Sequence, residues 1–263
     1  MKITLLVLAF LVLAAPAAFA HDTWIMCLPP GVRSGADVTL HISSGAAFPK
    51  FDTAPEAAQI ERCGWRVDGR EGALSDFSHE KDNLAVTGRV TTDGAAVVFA
   101  EFKPKAIDRT PDEVKAYMDE IGAPESVRRA YQSDGPNAKF HETLTTHAKT
   151  YLRVGESGDA TGCLGPVGFN IDFLPDRDPT SLKVGDTLTI RVFRGGKEME
   201  SFPVGAVSGA GKTTMQRTSK AGLVAIAIDA PGWWLIRGTE LRRQTDGTWE
   251  SDFTTLTFFV ANN

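Results

Sequence analysis

The residue with the most chemical consequence is His21, because of what precedes it. Residues 1–20 carry Lys2, an apolar run from Ile3 to Ala14, Pro16 and the small-residue end Ala18-Phe19-Ala20. That order is a secretory signal peptide with its cleavage site. Cleavage after Ala20 makes His21 the first mature residue. A free α-amine and an imidazole on one residue form a bidentate nitrogen chelate, which suits nickel, cobalt and copper. Further ligands must come from elsewhere in the chain. His41 falls on the polar face of an expected strand close in sequence to His21. His141 and His147 lie in the middle of the chain with Glu142 beside the first of them. They are too far apart in sequence to share one helical face. His79, next to Glu80, reads as plain surface. The candidate metal ligands are therefore His21, His147, His41 and Glu142, with Asp22 as a further oxygen donor.

Other motifs carry less. Ala206 to Thr213 loosely fits a phosphate-binding loop, but Thr214-Met215-Gln216-Arg217 is poor material for the helix that must follow. It reads as a hairpin loop. Gly-x-Ser-x-Gly and HExxH are both absent from the sequence, and the expectation is a protein that is not an enzyme. Trp24, Trp233 and Trp234 keep a second reading open: a carbohydrate-binding or adhesion surface that needs no metal.

The elements that must position these residues are mostly strands. In 37–43, Val38, Leu40 and Ile42 alternate with Asp37, Thr39, His41 and Ser43, the period of a half-buried strand. Short strand-like pieces recur to the end of the chain, broken by turns such as Asp68-Gly69, Gly195-Gly196 and Asp246-Gly247. The middle differs. Thr110-Pro111-Asp112-Glu113 is a capping box with proline at the first helical position, and Val114, Tyr117, Met118 and Ile121 follow at helical spacing. A second short helix is expected from Pro124, and a helical or mixed stretch from Phe140 to about Tyr151. The expected fold is mainly β: a module over 21–160 with a small helical insertion near 110–150, and a β-sandwich module over 161–263.

The 263 residues are 42% apolar and 23% charged with a net charge of −5, which is ordinary globular composition and argues against nucleic acid as a partner. After the signal no apolar stretch approaches the ~20 residues of a spanning helix. The expectation is an exported protein with no transmembrane segment. An exported chain favours disulfides, and the three cysteines leave one unpaired. Cys27 and Cys63 both lie in the first half and are the expected pair, leaving Cys163.

Several segments, taken in order, resemble a known family. They are His21-Asp22-Thr23-Trp24, then 35–40 leading to Ser44-Gly45 and Phe48-Pro49, and then Thr146-His147-Ala148-Lys149-Thr150-Tyr151-Leu152. Gly168 to Pro175 with Asp178-Pro179, Gly232-Trp233-Trp234 and the terminal 249–258 complete the series. The chain resembles the DUF4198 family of exported bacterial proteins linked with nickel and cobalt uptake. The resemblance implies a periplasmic protein of immunoglobulin- or transthyretin-like β-sandwich modules. It also implies a metal ion as ligand and a membrane metal-uptake transporter as partner. The family pattern falls on His21, Trp24, Ala148 and Lys149. Where members usually carry arginine or tyrosine, this chain has Thr146-His147.

Overall fold

The computed structural model describes residues 22–135 and 139–262. The expected signal peptide and His21 lie outside the described residues. In chain order the first half contains β1 (Asp22–Cys27), β2 (Asp37–Gly45), β3 (Ile60–Val67), β4 (Arg70–Ala73), β5 (Asp76–His79), β6 (Leu84–Arg89), β7 (Gly94–Phe102) and β8 (Lys105–Arg109). Two helices, α1 (Pro111–Glu120) and α2 (Glu125–Ser133), lead to β9 (Phe140–Val154). The rest is β10 (Ile171–Pro175), β11 (Thr187–Arg194), β12 (Lys197–Glu198), β13 (Pro203–Val207), β14 (Thr213–Arg217), β15 (Leu223–Ala227), β16 (Gly232–Arg243) and β17 (Trp249–Val260).

A nine-stranded sheet runs β14-β13-β16-β17-β9-β7-β3-β4, with β8 also paired to β9. At its centre β17 and β9 are parallel, in register from Trp249 opposite Glu142 to Thr257 opposite Thr150. This sheet takes strands from both sides of residue 160, the boundary expected between modules. Two smaller sheets complete the sandwich: β1-β2-β6-β5, and β10, β12 and β15 around β11.

The alternation along β7 shows how the layers stack. Ala96, Val98 and Ala100 join Ile25, Leu40, Ile42 and Val86 of the first small sheet in one core. Ala95, Val97 and Phe99 join Phe173, Leu188, Ile190 and Phe258 in another. Successive side chains of a strand point to opposite faces. The small sheets therefore cover opposite faces of the large one. The helices lie beside the first small sheet: Tyr117 stacks on Phe253, and Val114 and Met118 pack with Trp249 and Phe140.

The helical insertion starts as expected. Thr110 accepts a hydrogen bond from the Glu113 amide and Glu113 accepts one from the Thr110 amide. It ends earlier than expected, because the stretch from Phe140 to Tyr151 is strand β9 rather than helical or mixed. Thr143, Thr145, Thr146 and Thr150 are β-branched and suit a pleated surface. Pairing with β17 on one side and with β7 and β8 on the other fixes the strand.

The expected Cys27–Cys63 bridge is also corrected. All three cysteines are free and buried. Cys27 and Cys63 pack in the core under the first small sheet, and Cys163 in the opposite core. Each behaves as a small apolar side chain. Burial pushes the Cys63 and Cys163 thiols up to about 12 and raises Cys27 as well. A thiol reagent at neutral pH should label none of them in the native protein and all three once the unreduced chain is denatured. A single reactive thiol in the denatured chain would show a bridge instead.

Candidate functional site

The site begins with the way β1 is held. The strand pairs with β2 from Asp22 opposite Gly45 to Cys27 opposite Leu40. It also lies on the large sheet, where the Thr255 hydroxyl donates to the Thr23 carbonyl and the Thr257 hydroxyl to the Ile25 carbonyl. Between them Trp24 is fully buried, edge-on to Phe48 at 5.4 Å between ring centres. Gly45 makes this approach possible: a Cβ there would lie 2.7 Å from the Asp52 Cβ and 3.2 Å from the Trp24 ring.

The first described residue is therefore fixed. Arg237 Nη1, from β16, lies 2.6 Å from Asp22 Oδ2 and 3.7 Å from Oε1 of Glu120, the last residue of α1. Two carboxylates and one guanidinium thus surround the start of β1. Thr23 is bonded through its hydroxyl to that of Ser44 at 2.7 Å. Both line a cleft of about 450 Å³ that continues past Phe253, Leu144, Lys105 and Arg109.

Behind this cleft Glu142 has a structural task. Arg109 Nε donates to Glu142 Oε2 at 2.8 Å, Tyr117 donates to Oε1 at 2.8 Å, and Ser251 donates to the same oxygen. The Arg109 guanidinium sits 4.2 Å from the centre of the Tyr117 ring. Burial, with the Glu142 charge adding to it, pushes the Tyr117 hydroxyl well above its ordinary range. Both carboxylate oxygens of Glu142 accept hydrogen bonds within this cluster.

His147 sits on the opposite face of the large sheet. Its ring is fully buried 4.8 Å from the centre of Phe169. Nδ1 lies 3.2 Å from the Phe253 carbonyl oxygen, and Nε2 lies 3.3 Å from Glu101 Oε1, outside good hydrogen-bond geometry. Arg62 closes on the same carboxylate. The His147 ring, helped by Arg62 and opposed by burial, holds the Glu101 carboxyl below the ordinary range. His41 is in the first small sheet, with Nδ1 2.9 Å from Asn83 Oδ1 and its ring beside Phe51. The structure thus does not gather His147, His41 and Glu142 into one place. Among the described residues no group of three or more His, Cys, Asp or Glu is arranged to hold a metal ion.

The three tryptophans offer no stacking surface. Trp24, Trp233 and Trp234 are 0%, 8% and 3% exposed. Trp24 and Trp233 share a small core with Met26 and Leu235, and Trp234 stacks on Phe258 in another. Sequence reasoning missed Arg237 and Glu120, which are brought to β1 only by the tertiary fold. It also missed the Thr255/Thr257 anchor, whose signal is two hydroxyls spaced by two that alternate with the apolar Leu256 and Phe258.

The Glu101 carboxyl is more acidic folded than unfolded, so its contribution to stability is present above about pH 4.3 and is lost as the pH falls through the folded value. Glu101→Gln should destabilise the protein at pH 7, and the difference from the parent should shrink on acidification, read by urea unfolding at each pH. Thr257→Val should cost about 1–3 kcal/mol in the same measurement, because it leaves the buried Ile25 carbonyl unpaired.

The chain matches the family described as a domain of unknown function (DUF4198) over residues 18–239. No curated protein matches it. Among solved structures, the D0-D1 domain of intimin is similar at 14% identity and a TM-score of 0.20, covering 91% of this chain and 98% of that one. An adhesin with which an Antarctic bacterium binds ice is similar at 10% identity and a TM-score of 0.24. That match covers 92% of this chain, which spans 50% of the adhesin. A Salmonella alpha-2-macroglobulin is similar at 11% identity and a TM-score of 0.25, covering 94% of this chain and 15% of that one. Among the described residues no helix is long and apolar enough to cross a membrane. With the family match running over most of its length, the chain belongs to the DUF4198 family.

Proposed function

We propose that this chain is an exported periplasmic protein that binds a divalent transition metal at its mature amino terminus. It serves nickel or cobalt uptake and is not an enzyme. The nitrogen donors are the α-amine and imidazole of His21, released by cleavage after Ala20. Asp22 and Glu120 supply carboxylate oxygens, a donor set that suits borderline divalent ions. The observation that carries this reading is the anchoring of β1. Residue 22, to which His21 is joined, is held by Arg237, and residues 23 and 25 are held by Thr255 and Thr257. A chelate attached to a fixed strand loses less conformational freedom on binding than one on a free tail.

In this reading the metal is cargo. The chain holds it at one end of the sandwich, and no residue moves a proton or an electron to it. His147, His41 and Glu142 serve the fold.

Calorimetric titration of Ni²⁺, Co²⁺ and Cu²⁺ into the mature protein, with mass spectrometry confirming His21 as its first residue, tests the proposal. His21→Ala should weaken binding by about a hundredfold, or about 2.7 kcal/mol. Its unfolding curve should be unchanged, since His21 precedes β1. Equal affinity of parent and variant would overturn the reading.

A further inference from the structure

We propose that Lys149 and Asp172 become joined by an intramolecular amide bond that staples the large sheet to the second small sheet. Lys149 lies on β9 and Asp172 on β10, so the pair spans the two layers. Their side chains are 0% and 3% exposed, and the Lys149 ammonium donates directly to Asp172 Oδ1. Asp172 Oδ2 is held by the Val167 amide at 2.8 Å, which fixes the carboxyl plane. Val167 and Tyr151, which stand by Asp172, belong to the apolar core.

A charged pair in such a setting carries a large desolvation cost, whereas an amide removes both charges. Transfer of one ammonium proton to the carboxylate gives a neutral amine beside a neutral acid. The amine lone pair then adds to the Asp172 carboxyl carbon. The C–O bond to the protonated oxygen breaks, the second amine proton leaves with it, and the products are one amide and one water. No oxidant, reductant or activating group enters the balance. Two groups locked in contact act at effective molarities of about 10⁵–10⁸ M, which favours condensation over its bimolecular counterpart. Asp172 also lines a cleft of about 920 Å³ that offers the water a way out.

The test is the intact mass of the purified mature protein under denaturing, reducing conditions, followed by tryptic mapping. The proposal expects a mass one water below that of the sequence. It also expects Lys149 to resist trypsin, with its peptide joined to the one containing Asp172. Lys149→Met should restore the full sequence mass, a readout that does not depend on whether the variant folds. A succinimide at Asp68-Gly69, Asp93-Gly94 or Asp246-Gly247 would lose the same water but persist in Lys149→Met. The full sequence mass in the parent protein overturns the proposal, and so does a water loss that survives Lys149→Met.

Discussion

The parallel pairing of β9 with β17 is the constraint on which the rest of the structure depends. Parallel strands are stable when both faces are covered, and here the two small sheets and the helices do the covering. That burial reaches polar side chains which would otherwise face water. Glu142, His147, Lys149 and Thr150 on β9, and Ser251, Thr255 and Thr257 on β17, are all buried. A buried polar group without a partner is costly. Each of these strands therefore dictates its surroundings: Arg109, Tyr117 and Ser251 gather on Glu142, Glu101 faces His147, Asp172 meets Lys149, and β1 offers its carbonyls to Thr255 and Thr257.

The same constraint separates the polar residues of the core from those at the start of β1. His147 and Glu142 are buried on β9, and His41 is tied to Asn83 in the first small sheet. What remains near the amino terminus is different in kind. Asp22, Glu120 and Arg237 are partly exposed and lie where three elements converge at the start of β1. On the proposed reading these carboxylates are the oxygen donors, and their use does not dismantle the core. The hydroxyl anchors on β17 are the means by which a central strand holds the edge strand β1 in place.

Much of the fold is legible in the sequence. The alternation of Val38, Leu40 and Ile42 marks β2, whose other face stays polar, and the box from Thr110 to Glu113 marks the start of α1. β9 is not legible for a physical reason. Over 147–152 both faces are buried and no apolar/polar alternation is left, and the run His147-Ala148-Lys149 imitates a mixed or helical surface. Two of the candidate ligands, Glu142 and His147, lie on this strand, where a histidine or glutamate that satisfies a buried neighbour has the same letter as one that binds a metal. The tryptophans illustrate the reverse, since Trp233 and Trp234 point to opposite faces and both faces are core. The cysteines read as a pair only if disulfide frequency outweighs packing, and in this chain packing decides.

On the proposed reading the bound metal meets one histidine ring, that of His21, because His147 and His41 are committed to the fold. X-ray absorption spectroscopy of the nickel-loaded mature protein tests it directly. The expected spectrum shows nitrogen and oxygen neighbours with the outer-shell scattering of a single imidazole. Scattering from two or more imidazoles, or a sulfur neighbour, would contradict the account.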